Sequence, residues 1–203
     1  MAFVLSRRSF LLLGSASIAL PLLPGCVTSA NWQGTLGEVS SPLERKYLQW
    51  GPHKAASFRL DAPGTQAKAY RVWYPEDMAR NPGKKYPMVV LVNGTGWHAE
   101  KYPYIFEHLA SWGFIAAGNM DEWSGNGRSS SETLGFMLRE ANRRGSLFKG
   151  HVDPAGIGIA GHSQGGAGVF NAIGAFPNGR CYRAAFSQSP THRALARDAL
   201  KAD

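Results

Sequence analysis

Gly156-Ile157-Gly158-Ile159-Ala160-Gly161-His162-Ser163-Gln164-Gly165-Gly166 is the stretch on which the reading of this chain turns. Ile157 to Ala160 reads as a short buried strand, and Gly165 to Phe176, rich in small residues, as a helix. Between them Gly161-His162-Ser163-Gln164-Gly165 fits G-x-S-x-G. Such spacing places a serine on a tight strand-to-helix turn. The backbone there is strained, and the residues two before and two after must lack a Cβ to avoid a clash. The new helix aims its free N–H groups and positive dipole end at charge developing beside the serine. The same residues also match G-x-G-x-x-G, the dinucleotide fingerprint, through Gly156, Gly158 and Gly161. That motif has to follow a strand and open a helix. Here Ile157–Ala160 is itself the strand, and Gly179-Arg180-Cys181 stands where an acidic residue is required.

Upstream, Tyr86 to Val92 (YPMVVLV) is a continuous apolar run, the pattern of a strand buried on both faces. Asn93-Gly94-Thr95-Gly96-Trp97 follows at once. A tetrahedral oxyanion needs two N–H donors. The amide of Gln164, just after the serine, is one candidate; the other is Thr95, with Gly96 as the second choice. Ala56–Leu60 and Ala67–Tyr74 alternate like neighbouring antiparallel strands. A helix with Ile105, Phe106, Leu109 and Trp112 inward follows the Gly-rich loop, then a buried strand at Phe114–Ala117. Ser129-Ser130-Ser131-Glu132 reads as a capping box opening a helix to about Arg144, with Leu134, Met137, Leu138 and Ala141 inward. Tyr182–Ser187 reads as the last strand. Antiparallel strands followed by strand–helix alternation predict an α/β sandwich with a mainly parallel sheet.

With strand, NGTGW, helix, strand and GHSQGG in this order, the chain resembles the α/β-hydrolase superfamily over residues 55–190. The likeness is greatest to its chlorophyllase-like, dienelactone-hydrolase-like and cutinase-like polyester hydrolase branch. The resemblance implies a three-layer α/β-hydrolase sandwich and a serine esterase that forms an acyl-enzyme on Ser163. It also implies an oxyanion hole from Thr95 and Gln164, no cofactor, and a small-molecule or polymeric ester as substrate. Trp97 and Trp123, on loops that follow sheet strands, are candidate pocket walls. His162 fills the variable position beside the serine and is not read as the base. His98, His108 and His151 lack metal-ligand spacing, and Asp121-Glu122 are expected to serve loop hydrogen bonding.

The triad order of this fold is Ser, then Asp or Glu, then His. After Ser163 the sequence holds a single histidine, His192, followed by Asp198 and Asp203. The two further strands implied by the resemblance are missing. The expectation is therefore a truncated enzyme, with a reduced, non-catalytic, lipid-anchored binding protein as the alternative. Ala184 to Ser187 would then lie at an uncovered sheet edge.

Composition bounds the remainder. The chain has 203 residues, 44% hydrophobic, with 22 Lys+Arg against 14 Asp+Glu. It is long enough for one domain with a real core and too apolar for a disordered chain. The basic residues fall singly or in pairs (Arg45-Lys46, Lys84-Lys85, Arg143-Arg144), not in the stripe that nucleic-acid binding favours. Arg7-Arg8 and the apolar stretch Phe10–Leu23 read as a signal peptide over residues 1–25, too short to span a bilayer. Ser6-Arg7-Arg8-Ser9-Phe10-Leu11 resembles a twin-arginine signal, and Leu23-Pro24-Gly25-Cys26 a lipobox. The expected protein is exported to the periplasm or cell surface and held at the membrane by lipid on Cys26. Residues 26–51 read as tether and irregular arm, and 52–203 as an incomplete hydrolase domain. Cys181 reads as a buried small hydrophobe.

Overall fold

The computed structural model describes residue 39 and residues 41–191. The leader, Cys26, His192, Asp198 and Asp203 lie outside the described residues. The chain forms an α/β fold built on a six-stranded mixed sheet of order β1-β2-β4-β3-β5-β6. β1 (Ala55–Ala62) and β2 (Lys68–Pro75) are an antiparallel pair, and β2 is antiparallel to β4 (Ile115–Asn119). β3 (Tyr86–Val92), β4, β5 (Val152–His162) and β6 (Ala184–Gln188) run parallel to one another. The helices are α1 (Pro42–Leu48), α2 (Pro103–Ser111), α3 (Arg128–Glu140) and α4 (Gln164–Gly174).

The alternation of β3 explains its uninterrupted apolar run. Met88, Val90 and Val92 enter one core with Ile115, Ile157 and Ile159, closed by Leu134 and Met137 of α3 and Val169 and Ala172 of α4. Leu91 enters the other, with Trp73, Ala116 and Phe106 and Ala110 of α2. Helices thus pack on both faces, and the residues of β3 are buried except Pro87 and Val89, which are partly so. Each large aliphatic side chain so buried contributes about 1.5–3 kcal/mol. Two aromatic stacks tie helix to sheet: Trp73 on Phe106, with ring centroids 4.4 Å apart, and Tyr70 on Phe136 at 4.3 Å. Among the described residues β6 is an edge strand, and Phe186 on it is 64% exposed. Cys181 is a free, half-buried thiol packed against the larger core.

Three local expectations need correction. The capping box does not form. α3 starts at Arg128 from Gly127, whose φ of +76° turns the chain into the helix without a side-chain cap. Ser129 and Ser130 are buried within the first turn. Glu132, cast as the capping partner, instead accepts the N–H of Ala67 at 2.9 Å, and Ser131 Oγ donates to Asn178 Oδ1 at 2.8 Å. Ile105 faces outward, because α2 turns Phe106 and Ala110 to the sheet. And the arm is not wholly irregular: Ser41 accepts the N–H of Glu44 and Pro42 sits in the first turn of α1.

Glu140 ends α3, where a carboxylate opposes the helix dipole. Arg143 offsets this with bonds of 2.8 and 2.7 Å, and Ser146 adds one of 2.7 Å. The Arg143 hydrogen bonds hold the Glu140 carboxyl below its ordinary value of 4.5. A depressed carboxyl contributes stability above its unfolded pKa and loses it as pH falls through the folded one. Glu140→Gln is therefore expected to destabilise the chain at pH 7 by about 1 kcal/mol, since Arg143 is solvent-screened. Thermal melts across pH should show the gap to wild type closing below pH 4.5.

Candidate active site

The order of strands locates a crevice before any side chain is considered. From β3 the chain crosses through α2 to β4 on one side; from β5 it crosses through α4 to β6 on the other. α2 and α4 cover opposite faces. The loops leaving adjacent β3 and β5 therefore diverge, and the gap above their carboxyl ends is the place where open α/β sheets bind ligands. Val92 and Gly161 are paired at that edge. The residues that follow them are Asn93-Gly94-Thr95 and His162-Ser163.

Ser163 makes the whole turn from strand to helix. Its φ and ψ are +57° and −122°, a region that costs a residue with a Cβ about 1–3 kcal/mol. Its N–H donates to Gln188 O at 3.0 Å, and its carbonyl accepts from Ala167 and Thr191, both at 3.2 Å. Close approach on either side requires glycine. A Cβ on Gly161 would lie 2.4 Å from Gly165 O, and one on Gly165 would lie 2.2 Å from Val92 O. A serine at a helix N-cap usually bonds the helix's own N–H groups. Here it makes no such bond, and among the described residues its Oγ has no hydrogen-bond partner.

The donors sort themselves by what they already bond. Gly96 N–H donates to Glu122 O at 2.9 Å and Trp97 N–H to Gly94 O at 3.1 Å. The N–H of Thr95 makes no bond to another described residue, and neither does that of Gln164, the first residue of α4, whose amide has no acceptor in its own helix. Loop and elbow are neighbours, since a Cβ on Gly94 would lie 3.5 Å from His162 O. Trp97 and Trp123 stand on the loops after β3 and β4, 51% and 64% exposed.

Sequence reasoning missed what holds the loop. Asn93 is fully buried and its Nδ2 donates to Asn119 O, Asn119 Oδ1 and Asp121 O at 3.0, 3.0 and 2.8 Å. Its Oδ1 accepts from Tyr102 Oη and its carbonyl from Ser124 Oγ. Burial raises the pKa of Tyr102 well above the ordinary phenol value, so this hydroxyl stays a donor. Lys101 bridges Gly96 O and Glu122 Oε1, both at 2.7 Å. Asp121 accepts from Trp123 N–H and Gln66 Nε2 at 2.9 and 2.8 Å, so Asp121 and Glu122 both bond within the loop network. The available signal was a polar residue directly after a strand buried on both faces.

No imidazole reaches Ser163 among the described residues. His162 is exposed beside it. His108 bonds Tyr47 O at 2.7 Å and His151 bonds Lys84 O at 2.9 Å. His53 pairs with Asp77 at 3.1 Å, yet no nucleophilic side chain bonds this imidazole. No group of three or more His, Cys, Asp or Glu able to hold a metal occurs among the described residues.

No model of a known family matches the chain, and no curated protein matches it either. The geometry itself makes a prediction. Ser163→Gly relieves the left-handed strain and Ser163→Ala does not. In urea unfolding the glycine variant should be about 1 kcal/mol more stable than the alanine variant, although glycine adds chain entropy to the unfolded state.

Proposed function

We propose that the chain is an α/β-hydrolase scaffold for carboxylic ester hydrolysis through an acyl-enzyme on Ser163. One observation carries the reading: a non-glycine residue in left-handed conformation, at the start of an 11-residue helix, over the crevice where the strand crossovers diverge. Backbone strain of this kind persists where surrounding structure over-determines it, and it clusters at reactive sites. Ser163 Oγ attacks the ester carbonyl carbon as its proton passes to a general base. The carbonyl electron pair moves onto oxygen, where the N–H groups of Thr95 and Gln164 receive it. Collapse expels the alcohol, which takes the proton. Water then repeats the attack on the acyl group and releases the acid. No step needs a cofactor.

No described residue supplies that base, and His192, followed rather than preceded by Asp198 and Asp203, does not stand in the Ser, acid, His order of the fold. The second reading is a lipid-anchored binding protein of the same fold, favoured by the lack of an imidazole on Ser163 among the described residues. Trp97 and Trp123 would border a small-molecule or polymeric ester in the first reading and a bound ligand in the second. In both, the chain is exported and anchored by lipid on Cys26.

A fluorophosphonate probe followed by peptide mass spectrometry separates the readings. The hydrolase reading predicts one phosphonyl group on Ser163 and none in Ser163→Ala. Turnover of a short-chain p-nitrophenyl ester should fall by at least about 10³-fold in that variant. Labelling retained in Ser163→Ala places the nucleophile elsewhere. A wild-type chain that neither labels nor turns over is not a working hydrolase as it stands, which favours the binding reading.

A further inference from the structure

α1 is fixed to the domain yet buries none of its residues. Leu43 and Tyr47 lie one turn apart on it and Trp50 stands just beyond its end; they are 64%, 48% and 51% exposed. Looseness does not account for this. Tyr47 packs edge-on against Trp112 of the α2 C-cap with centroids 4.8 Å apart, and Trp50 lies 5.4 Å from the His108 ring. Trp112 Nε1 donates to Gln49 O at 3.0 Å, and Gly51 N–H to Ser111 Oγ at 2.9 Å. The chain after α1 lies so close that a Cβ on Gly51 would sit 2.1 Å from Ser111 O. On α2 itself, Tyr104 and Ile105 are exposed, about one turn before His108. The result is a pinned shelf with an apolar, aromatic stripe held in water.

We propose that this shelf docks on the surface of an anionic bilayer. Exposed apolar surface held rigidly marks an interaction site more often than a fault of packing. Its chemistry is that of a membrane interface: tyrosine and tryptophan with an apolar body and a polar tip, beside cations. Lys46, in the last turn of α1, places its Nζ 5.2 Å from the Tyr47 ring and 5.9 Å from that of Trp112, with Glu44 as the acid of the first turn. The formal charge of +8 falls to +6 without Arg7 and Arg8 of the leader. Anionic headgroups complement Lys46, and the aromatic residues beside it suit the interfacial zone of a bilayer. Position in the chain points the same way, and this clause alone rests on the lipid-anchor reading. Cys26 precedes Pro42 by 16 residues, a tether of at most about 55 Å. The shelf is the first described apolar surface after that anchor. Bilayer contact there would add a second attachment to the lipid and fix how the domain faces the membrane. Neither the shelf nor its test depends on chemistry at Ser163.

The test uses residues 26–203, the chain without its leader, with Cys26→Ser and Cys181→Ala and one reporter cysteine carrying an environment-sensitive fluorophore. The reporter is Leu43→Cys; the control is Arg144→Cys, beyond α3 on the opposite face of the sheet. The vesicles are phosphatidylcholine with about 30% phosphatidylglycerol. The emission at position 43 should shift to the blue and be quenched by doxyl-labelled lipid, while position 144 stays as in water. Arg45→Glu with Lys46→Glu, or vesicles of phosphatidylcholine alone, should remove most of the shift. Circular dichroism checks that each variant is folded. A reporter at 43 that stays in water on bound vesicles overturns the proposal, as does failure to bind. Equal shifts at 43 and 144, or a shift that survives charge reversal, overturn it too. A blue shift without vesicles that grows with protein concentration assigns the shelf to a second copy instead.

Discussion

The constraint on which the structure depends is that β5 becomes α4 through one residue. Ser163 absorbs the reversal at φ +57°, and everything around it has to come close enough to hold it there. α4 begins with glycines because its first turn is wedged among carbonyls. A Cβ on Gly165 would meet Val92 O at 2.2 Å, one on Gly166 would meet Gln188 O at 2.9 Å, and one on Gly168 would meet Ser124 O at 2.6 Å. The end of β3, the end of β6 and the loop after β4 thus all bear on the same helix. The local cost of about 1–3 kcal/mol is matched by the burial of Val169 and Ala172 in the larger core, each side chain adding its share of apolar area.

A second feature follows from the first. The N–H of Thr95 makes no bond to another described residue, while the other groups of the β3 loop are tied down. Asn93 does this from below through the carbonyls of Asn119 and Asp121. Lys101 and Glu122 do it from above through both polar groups of Gly96. Asn119 passes the restraint on to Thr133 at 3.0 Å, and Thr133 to Ser129 O at 2.7 Å. Fully satisfied buried networks of this kind rigidify what they hold. Thr95 is left with its N–H free in a loop that is otherwise pinned.

Much of this architecture was legible in the sequence because its signals are local. YPMVVLV matches β3 residue for residue, since a strand covered on both faces leaves an unbroken apolar run. The alternation of AKAYRVWY set the antiparallel pair, and the two glycines around Ser163 set the turn. What escaped was tertiary. The serines before Glu132 look like a cap but are buried against other elements, and Glu132 bonds Ala67 across the fold. α1 was hidden among polar and Pro/Gly-spaced residues because it buries nothing. Asn93 looked like turn chemistry, because no pattern in one chain reports that its amide spans to β4. No general base was legible, and among the described residues no imidazole bonds Ser163.

The central claim is that Ser163, in its left-handed conformation, faces the N–H groups of Thr95 and Gln164. A crystal structure of the chain after reaction with a small alkyl phosphonate tests it most directly, because the phosphonyl group is tetrahedral with a polarised P=O oxygen, as an acyl-transfer transition state has a developing oxyanion. The account predicts phosphorus bonded to Ser163 Oγ with φ still positive, and one phosphonyl oxygen about 2.7–3.1 Å from both amide nitrogens. An adduct whose oxygens face solvent, a negative φ at Ser163, or phosphonate bound to another residue would contradict it.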